Sequence, residues 1–402
     1  MPQCAICDTS IPHWLGDHLA EAHDMSPDQY EAQFPGKPLA SPELTRMYEQ
    51  KTGSVRRSHP PKVEDLQVRF GTLDFTFNAG VPASACLPEP DKYRVPTRGE
   101  LGHDVSMALV SLGRGRSIYI WSLPGSGKDA LFHAWSARTR TPAIIKQMIP
   151  GTDIESWFFS RGFNEEGTYW EEGDVLKALR DGYVTPDGRR VPYLLLVTDI
   201  DRADRAQAEH FRLITDSIQG RISGPGGQTY PVLPGTRVVA TANTPGGGDE
   251  RGRMISANPI DASILDRFER VYRFHYMDWA DEGPIVKSKF PVLVERAPWV
   301  FPAMGKITAA LRDACDKEEI YTEFSHRALC SILGHADDLL HYAARATVPR
   351  TLLRKAARAW TDGLPDQDTR DRVEAIIAPH LKGGHAKTGN TSHIGKGNLA
   401  DL

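Results

Sequence analysis

The chain of 402 residues carries 48 basic and 52 acidic side chains, for a formal net charge of −4. That balance excludes the global basic field of a protein held to nucleic acid by charge alone, and no apolar run approaches the roughly 20 residues of a membrane span. Five cysteines are an odd set with two in a C-x-x-C, which argues against a disulfide framework. The opening MPQCAICDTS also lacks the basic and apolar blocks of a signal peptide. The chain therefore reads as soluble and cytoplasmic, with length for two or three domains.

Residues 1–37 form the first candidate unit. Cys4-x2-Cys7-x10-His18-x4-His23 supplies two thiols and two imidazoles at spacings that close a tetrahedral zinc site. His13 is an alternative to His18, with a poorer spacing from His23. A unit this small cannot bury enough surface to fold alone, so the metal would supply the folding energy. Residues 38–65 are polar, carry a proline pair near their end, and suit a linker.

From 66 to 278, short apolar runs alternate with helical patterns, the signature of a mostly parallel βα sheet. The clearest buried strands are 117–121, 193–197 and 237–241. The first runs into Leu123-Pro-Gly-Ser-Gly-Lys-Asp129 and then a helical "KDALFHAWSARTR". That is the strand–loop–helix setting of a phosphate-binding loop. Pro124, Gly125, Ser126 and Gly127 would form the loop whose amides curl around a β-phosphate, and Lys128 would reach the β- and γ-phosphates. The pattern asks for glycine at 122 and a hydroxyl at 129, where this chain has Ser122 and Asp129.

The second strand leads into "TDIDRAD". Thr198 falls at the usual metal-serving aspartate and Asp199 at the usual water-polarising glutamate, while Asp201 or Asp204 suits an N-cap of the next helix. Asp129 and Thr198 thus look like a reciprocal exchange of carboxylate and hydroxyl, conserving local charge and oxygen count. The third strand ends in Asn243, whose amide could orient the hydrolytic water or touch the γ-phosphate. Arg267 follows a short helical run and precedes another strand, where a guanidinium can cross a subunit boundary to a neighbour's phosphate. Arg327 opens a later helix in "FSHRALCSIL". Residues 279–381 read as a helical lid, with 303–380 a succession of amphipathic helices, and residues 382–402 as a disordered tail.

Two resemblances follow from these motifs. "HLAEAHDMSPDQYEAQFPGKPL" resembles the zinc finger of Ros/MucR-type regulators, a DNA-binding family. Here, however, residues 1–36 contain Asp8, Asp17, Glu21, Asp24, Asp28 and Glu31 and neither lysine nor arginine. A finger without cations cannot displace phosphate counterions, so docking to a protein is the better expectation. "RVVATANTPGGGDERGRM", "NPIDASILDRF" and "FSHRAL" resemble AAA+ ATPases of the MoxR branch, especially CobS-like cobaltochelatase small subunits. That resemblance implies a five-stranded αβα sandwich in strand order 5-1-4-3-2, a β-hairpin at 219–235, a helical lid, and a ring that is commonly hexameric. It also implies ATP and Mg²⁺ as cofactors and a partner with a von Willebrand A domain (CobT-like). The expected function is an ATP-driven motor that remodels a partner protein. Its rivals are a nucleotide-binding assembly protein with little hydrolysis and a DNA-associated factor.

Overall fold

In the computed structural model, the described residues are 2–11, 14–23, 25, 27–34, 37–44, 67–165, 167–248, 257–342 and 351–381. His13, most of the expected linker (45–65), the 249–256 part of the glycine-rich stretch and the expected tail at 382–402 lie outside them. Two compact units are formed, Met1–Ile285 and Val286–Leu402.

The first unit is built on one parallel sheet. Strands β3 (Ile118–Ser122), β4 (Ala143–Gln147), β9 (Leu194–Thr198), β12 (Arg237–Ala242) and β13 (Arg270–Phe274) lie in the order β13-β3-β12-β9-β4. Counted from the strand that precedes the glycine loop, this is 5-1-4-3-2, the order implied by the AAA+ resemblance. Antiparallel pairs surround the sheet: β1 (Gln67–Phe70) with β2 (Leu73–Thr76), β5 (Phe159–Asn164) with β6 (Gly167–Glu172), β7 (Tyr183–Val184) with β8 (Arg190–Val191), and β10 (Arg221–Ser223) with β11 (Thr229–Pro231). The last pair is the hairpin expected within 219–235.

The central strands are apolar at most positions because helices cover both faces. Alternation assigns each residue its side. Ile118, Ile120, Leu194, Leu196 and Val239 meet the face that also buries Leu101, Val105, Leu131, Phe132 and Trp135. These last residues belong to helices α3 (Gly99–Gly113) and α4 (Lys128–Thr139). Tyr119, Leu195, Val197, Val238, Ala240 and Ala242 meet the opposite face with Val175, Leu176, Leu179, Phe211 and Ile214. Those come from α5 (Asp174–Asp181) and α6 (Phe211–Ile218).

At the N-terminus, α1 (Gly16–His23) and α2 (Pro27–Gln33) enclose a small core of Cys4, Leu15, Leu19 and Tyr30. The Tyr30 hydroxyl accepts the Ala5 amide at 2.7 Å. The start of the expected linker is packed rather than free: Leu44 joins Phe77 and Ala79 in a buried cluster, and Arg140 pairs with Glu43 at 2.9 Å.

Helix α7 (Trp279–Lys289) runs across the division between the units. The second unit is helical among its described residues: α8 (Pro291–Arg296), α9 (Val300–Asp316), α10 (His326–Tyr342), α11 (Leu352–Thr361) and α12 (Gln367–Ile377). Its core includes Phe301, Met304, Leu311, Phe324, Leu329, Leu333, Leu353 and Val373.

The double coverage of the central strands sets a stability expectation. Leu196→Ala removes a fully buried side chain from the middle of β9 and should lower the unfolding free energy by about 2–5 kcal/mol. Val271→Ala, on edge strand β13 and half exposed, should change it by less than about 1 kcal/mol. Urea denaturation of the two variants beside the wild type checks the contrast.

Candidate functional site

Parallel strands deliver their last residues to one edge, and the chemistry-bearing side chains converge there. Strand β3 ends at Ser122, and its backbone register is level with Ala242 of β12 at Trp121 and with Phe274 of β13 at Ser122. The loop then turns through Gly125 (φ 73°) and Gly127 (φ 87°). Both are left-handed conformations that glycine adopts without the Cβ penalty. Gly127 caps α4 with no side-chain hydrogen bond, and the amides that begin a helix are natural donors to an anion. Ser122, standing where the pattern has glycine, bonds across the loop to Ser126 (Oγ to Oγ, 2.6 Å), and Tyr276 donates to the Pro124 carbonyl at 3.1 Å. The loop is therefore tied at both ends.

Lys128, buried although cationic, donates from Nζ to Asn243 Oδ1 at 2.8 Å. The same amide's Nδ2 donates to Asp199 Oδ1 at 3.3 Å, and Gln147 Nε2 donates to Asp199 Oδ2 at 3.2 Å. A continuous chain thus runs Lys128–Asn243–Asp199–Gln147 across the ends of α4, β12, β9 and β4. Three of these four residues were expected at the site. Gln147 was not, because a single glutamine at a strand end carries no sequence signal.

Asp199 itself has φ 53° and ψ 41°. A non-glycine residue in the left-handed region is uncommon, and aspartate is among the few that tolerate it. Two residues on, Asp201 is buried at 1% exposure. Asp204, rather than Asp201, caps the next helix, in a reciprocal capping box with Gln207. Burial pushes the Asp201 carboxyl above its ordinary range, opposed by hydrogen bonds from Asn243 and Thr244 and by the charge of Lys128.

Asp129 and Thr198 are the residues expected to serve a magnesium ion together. The hydroxyl that meets Asp129 is Thr241's, whose Oγ1 donates to Oδ1 at 2.8 Å; no hydrogen bond joins Asp129 to Thr198 among the described residues. The reason is sheet order. Strand β12 stands between β3 and β9, and its register (Ala240 opposite Val197) continues to put Thr241 level with Thr198. A helix entering from β3 meets Thr241 first.

Arg267 makes no hydrogen bond to this constellation among the described residues. Arg267 donates to Asp216 Oδ1 at 2.7 Å and to Thr215 Oγ1 at 3.0 Å, a brace to α6 within its own chain. Arg327 is exposed on the first turn of α10, in the second unit.

A second site is fully assembled at the N-terminus. One ligand atom from each of Cys4, Cys7, His18 and His23 falls within 4.8 Å of the others. Cys4 Sγ lies 3.5 Å from His23 Nε2, and Cys7 Sγ lies 3.2 Å from His18 Nε2 and 3.3 Å from His23 Nε2. Around zinc, with Zn–S of about 2.3 Å and Zn–N of about 2.0–2.1 Å, adjacent S and N ligands stand roughly 3.6 Å apart. The donor set therefore fits one tetrahedral ion. Thr9, through its hydroxyl and main chain, and then His23 lower the Cys7 thiol to about 6, which favours the thiolate that binds metal.

The strand order, with a glycine loop between β3 and α4, is that of a P-loop αβα sandwich, the architecture that the AAA+ resemblance implies. No family model and no curated protein sequence matches the chain. Among solved structures, it is similar to the RuvB Holliday junction branch migration motor of Thermotoga maritima. The identity is 13% over 68% of this chain and 72% of that one, with a TM-score of 0.40. It is also similar to NtrX from Brucella abortus, crystallised with ATP, at 12% identity over 72% of this chain and 63% of that one, TM-score 0.44. These values are low, and the class of the fold rests on the strand order of this chain's own sheet.

Elemental analysis of freshly purified protein should find one zinc per chain. Cys4→Ser or His23→Ala should lose it while the thermal unfolding of the sheet-bearing unit is retained; a wild-type preparation without zinc would contradict the ligand set.

Proposed function

We propose that the protein is an AAA+ ATPase that binds ATP with Mg²⁺ at the end of β3, assembles as a ring and uses hydrolysis to remodel a protein partner, in the manner of MoxR and CobS-like motors. The observation that carries the reading is the chain Lys128–Asn243–Asp199. It joins a phosphate-binding cation, a water-orienting amide and a carboxylate at the mouth of an uncapped helix N-terminus.

In this reading Pro124 to Gly127 and the first-turn amides of α4 cradle the β-phosphate, and Lys128 leaves Asn243 for the β- and γ-oxygens. Magnesium, if bound, would supply positive charge against the phosphates. Asp129 serves it from the loop, with Thr198 and Thr241 as the neighbouring hydroxyls. Asp199, set by Asn243 and Gln147, orients the attacking water and accepts its proton. Arg267 acts on the nucleotide of the adjoining subunit, exchanging its bond to Asp216 for a phosphate, and Arg327 acts within its own chain. A partner with a von Willebrand A domain fits this motor class, and the acidic finger is a protein-docking module with Zn²⁺ as its structural ion.

An assembly protein that binds nucleotide without turnover is the rival reading, and steady-state phosphate release separates the two. Lys128→Ala removes a charge-assisted hydrogen bond worth about 1.5–3 kcal/mol and should weaken ATP binding by about tenfold or more. Asp129 brings a carboxylate towards the phosphates. At about 4 Å such like charges repel by about 4 kcal/mol near a protein surface unless a cation lies between them. ATP binding should therefore fall more than about tenfold in excess EDTA; equal binding would exclude Asp129 from a metal role. Arg267→Ala mixed with Lys128→Ala should regain turnover that neither variant shows alone, provided each subunit completes its neighbour's site.

A further inference from the structure

Asp201 has no part in the reaction just described, yet it is the most heavily used acceptor near the site. Its Oδ2 receives the Asn243 amide at 2.9 Å, the Thr244 amide at 3.0 Å and the Thr244 hydroxyl at 3.1 Å. Its main-chain oxygen receives the Asn258 amide at 2.7 Å. A buried carboxylate oxygen taking three donors is far from a capping arrangement: the donors sit 42 and 43 positions away in sequence. They belong to the turn that follows β12, whose Thr244 carbonyl is in turn held by the Tyr119 hydroxyl of the neighbouring strand β3 at 3.0 Å.

The bonds fix the backbone of Asn243 on one side, while its side chain spans Lys128 and Asp199 on the other. Freeing two adjacent amides would let the turn rotate. A small rotation there displaces an amide group that has to stand within hydrogen-bond reach of two partners at once. We propose that Asp201 is a positioning residue that sets the sensor amide of Asn243 by gripping the two consecutive backbone N–H groups of the β12 turn, and that it does so as a hydrogen-bond acceptor rather than as a charge. The inference rests on the hydrolytic reading above.

The acceptor role makes an unusual demand on the test: asparagine should substitute and alanine should not. Asp201→Asn keeps an oxygen for the same donors and should retain at least about a third of wild-type kcat. Asp201→Ala should lower kcat by about tenfold or more while the Kd for ATP moves less than about threefold, the split expected when an interaction matters in the transition state only. Thr244→Val, which deletes one donor and leaves the carboxylate, should give a smaller loss of the same kind and serves if the alanine variant does not fold.

Hydrogen exchange of the nucleotide-free protein supplies a readout independent of turnover. Protection of the 238–248 peptide should drop in Asp201→Ala and persist in Asp201→Asn. Wild-type kcat in both Asp201→Ala and Thr244→Val, or equal losses in Asn and Ala, or a fall in ATP affinity that matches the fall in kcat, would each overturn the proposal. A wild type that holds the exchange pattern but releases no phosphate would refute the hydrolytic reading and, with it, a catalytic purpose for the grip.

Discussion

The polar side chains of the candidate site gather at one edge of a single parallel sheet, and that shared edge is the constraint from which the rest follows. Parallel strands end in the same direction, so β3, β4, β9 and β12 bring the glycine loop, Gln147, Asp199 and Asn243 to one place without any long loop having to be ordered. The helices that make this possible are the ones that bury both faces of the sheet. Packing on Ile120 and Leu196 below and recognition at Lys128 above are thus two ends of the same strands. A loss of packing at the centre is transmitted as a loss of alignment at the edge.

Buried cations and carboxylates are costly unless satisfied. Here Lys128 donates to the Asn243 amide oxygen, and Asp199 accepts from two amide nitrogens. Neutral dipoles therefore bridge the charges. Such an arrangement lets Asn243 exchange partners at little electrostatic expense. A direct ion pair between Lys128 and Asp199 would have been harder to open.

Much of this was legible from sequence because doubly covered strands are written as unbroken apolar runs. "IYIWS" and "LLLVT" have few other readings, and the glycines after the first fix the turn. The ligand spacing of the finger was legible for a similar reason: a small site draws its ligands from short sequence intervals. What escaped were partnerships across the sheet. Asp201 read as a helix cap because its neighbours in sequence allow one, while its actual donors lie on β12's turn. Nothing in the sequence signalled that Thr241, on the strand between β3 and β9, would donate to Asp129. The β5–β6 hairpin was missed because, past the buried Phe159, it exposes Phe163, Tyr169 and Trp170 and so lacks the alternation of a half-buried strand.

The left-handed backbone at Asp199 also limits what this position can be. In that conformation the short polar side chains of asparagine and aspartate gain local hydrogen bonds, and glycine escapes the Cβ clash, but a longer acid gains neither advantage. The turn thus acts as a filter on side-chain length: a carboxylate carried here is favoured as aspartate, one methylene shorter than the glutamate that the pattern would ask for. The missing reach has to be made up by the neighbours. Two flanking amides that draw the carboxylate to a fixed spot do so, and Gln147 and Asn243 are therefore best regarded as part of the acid itself.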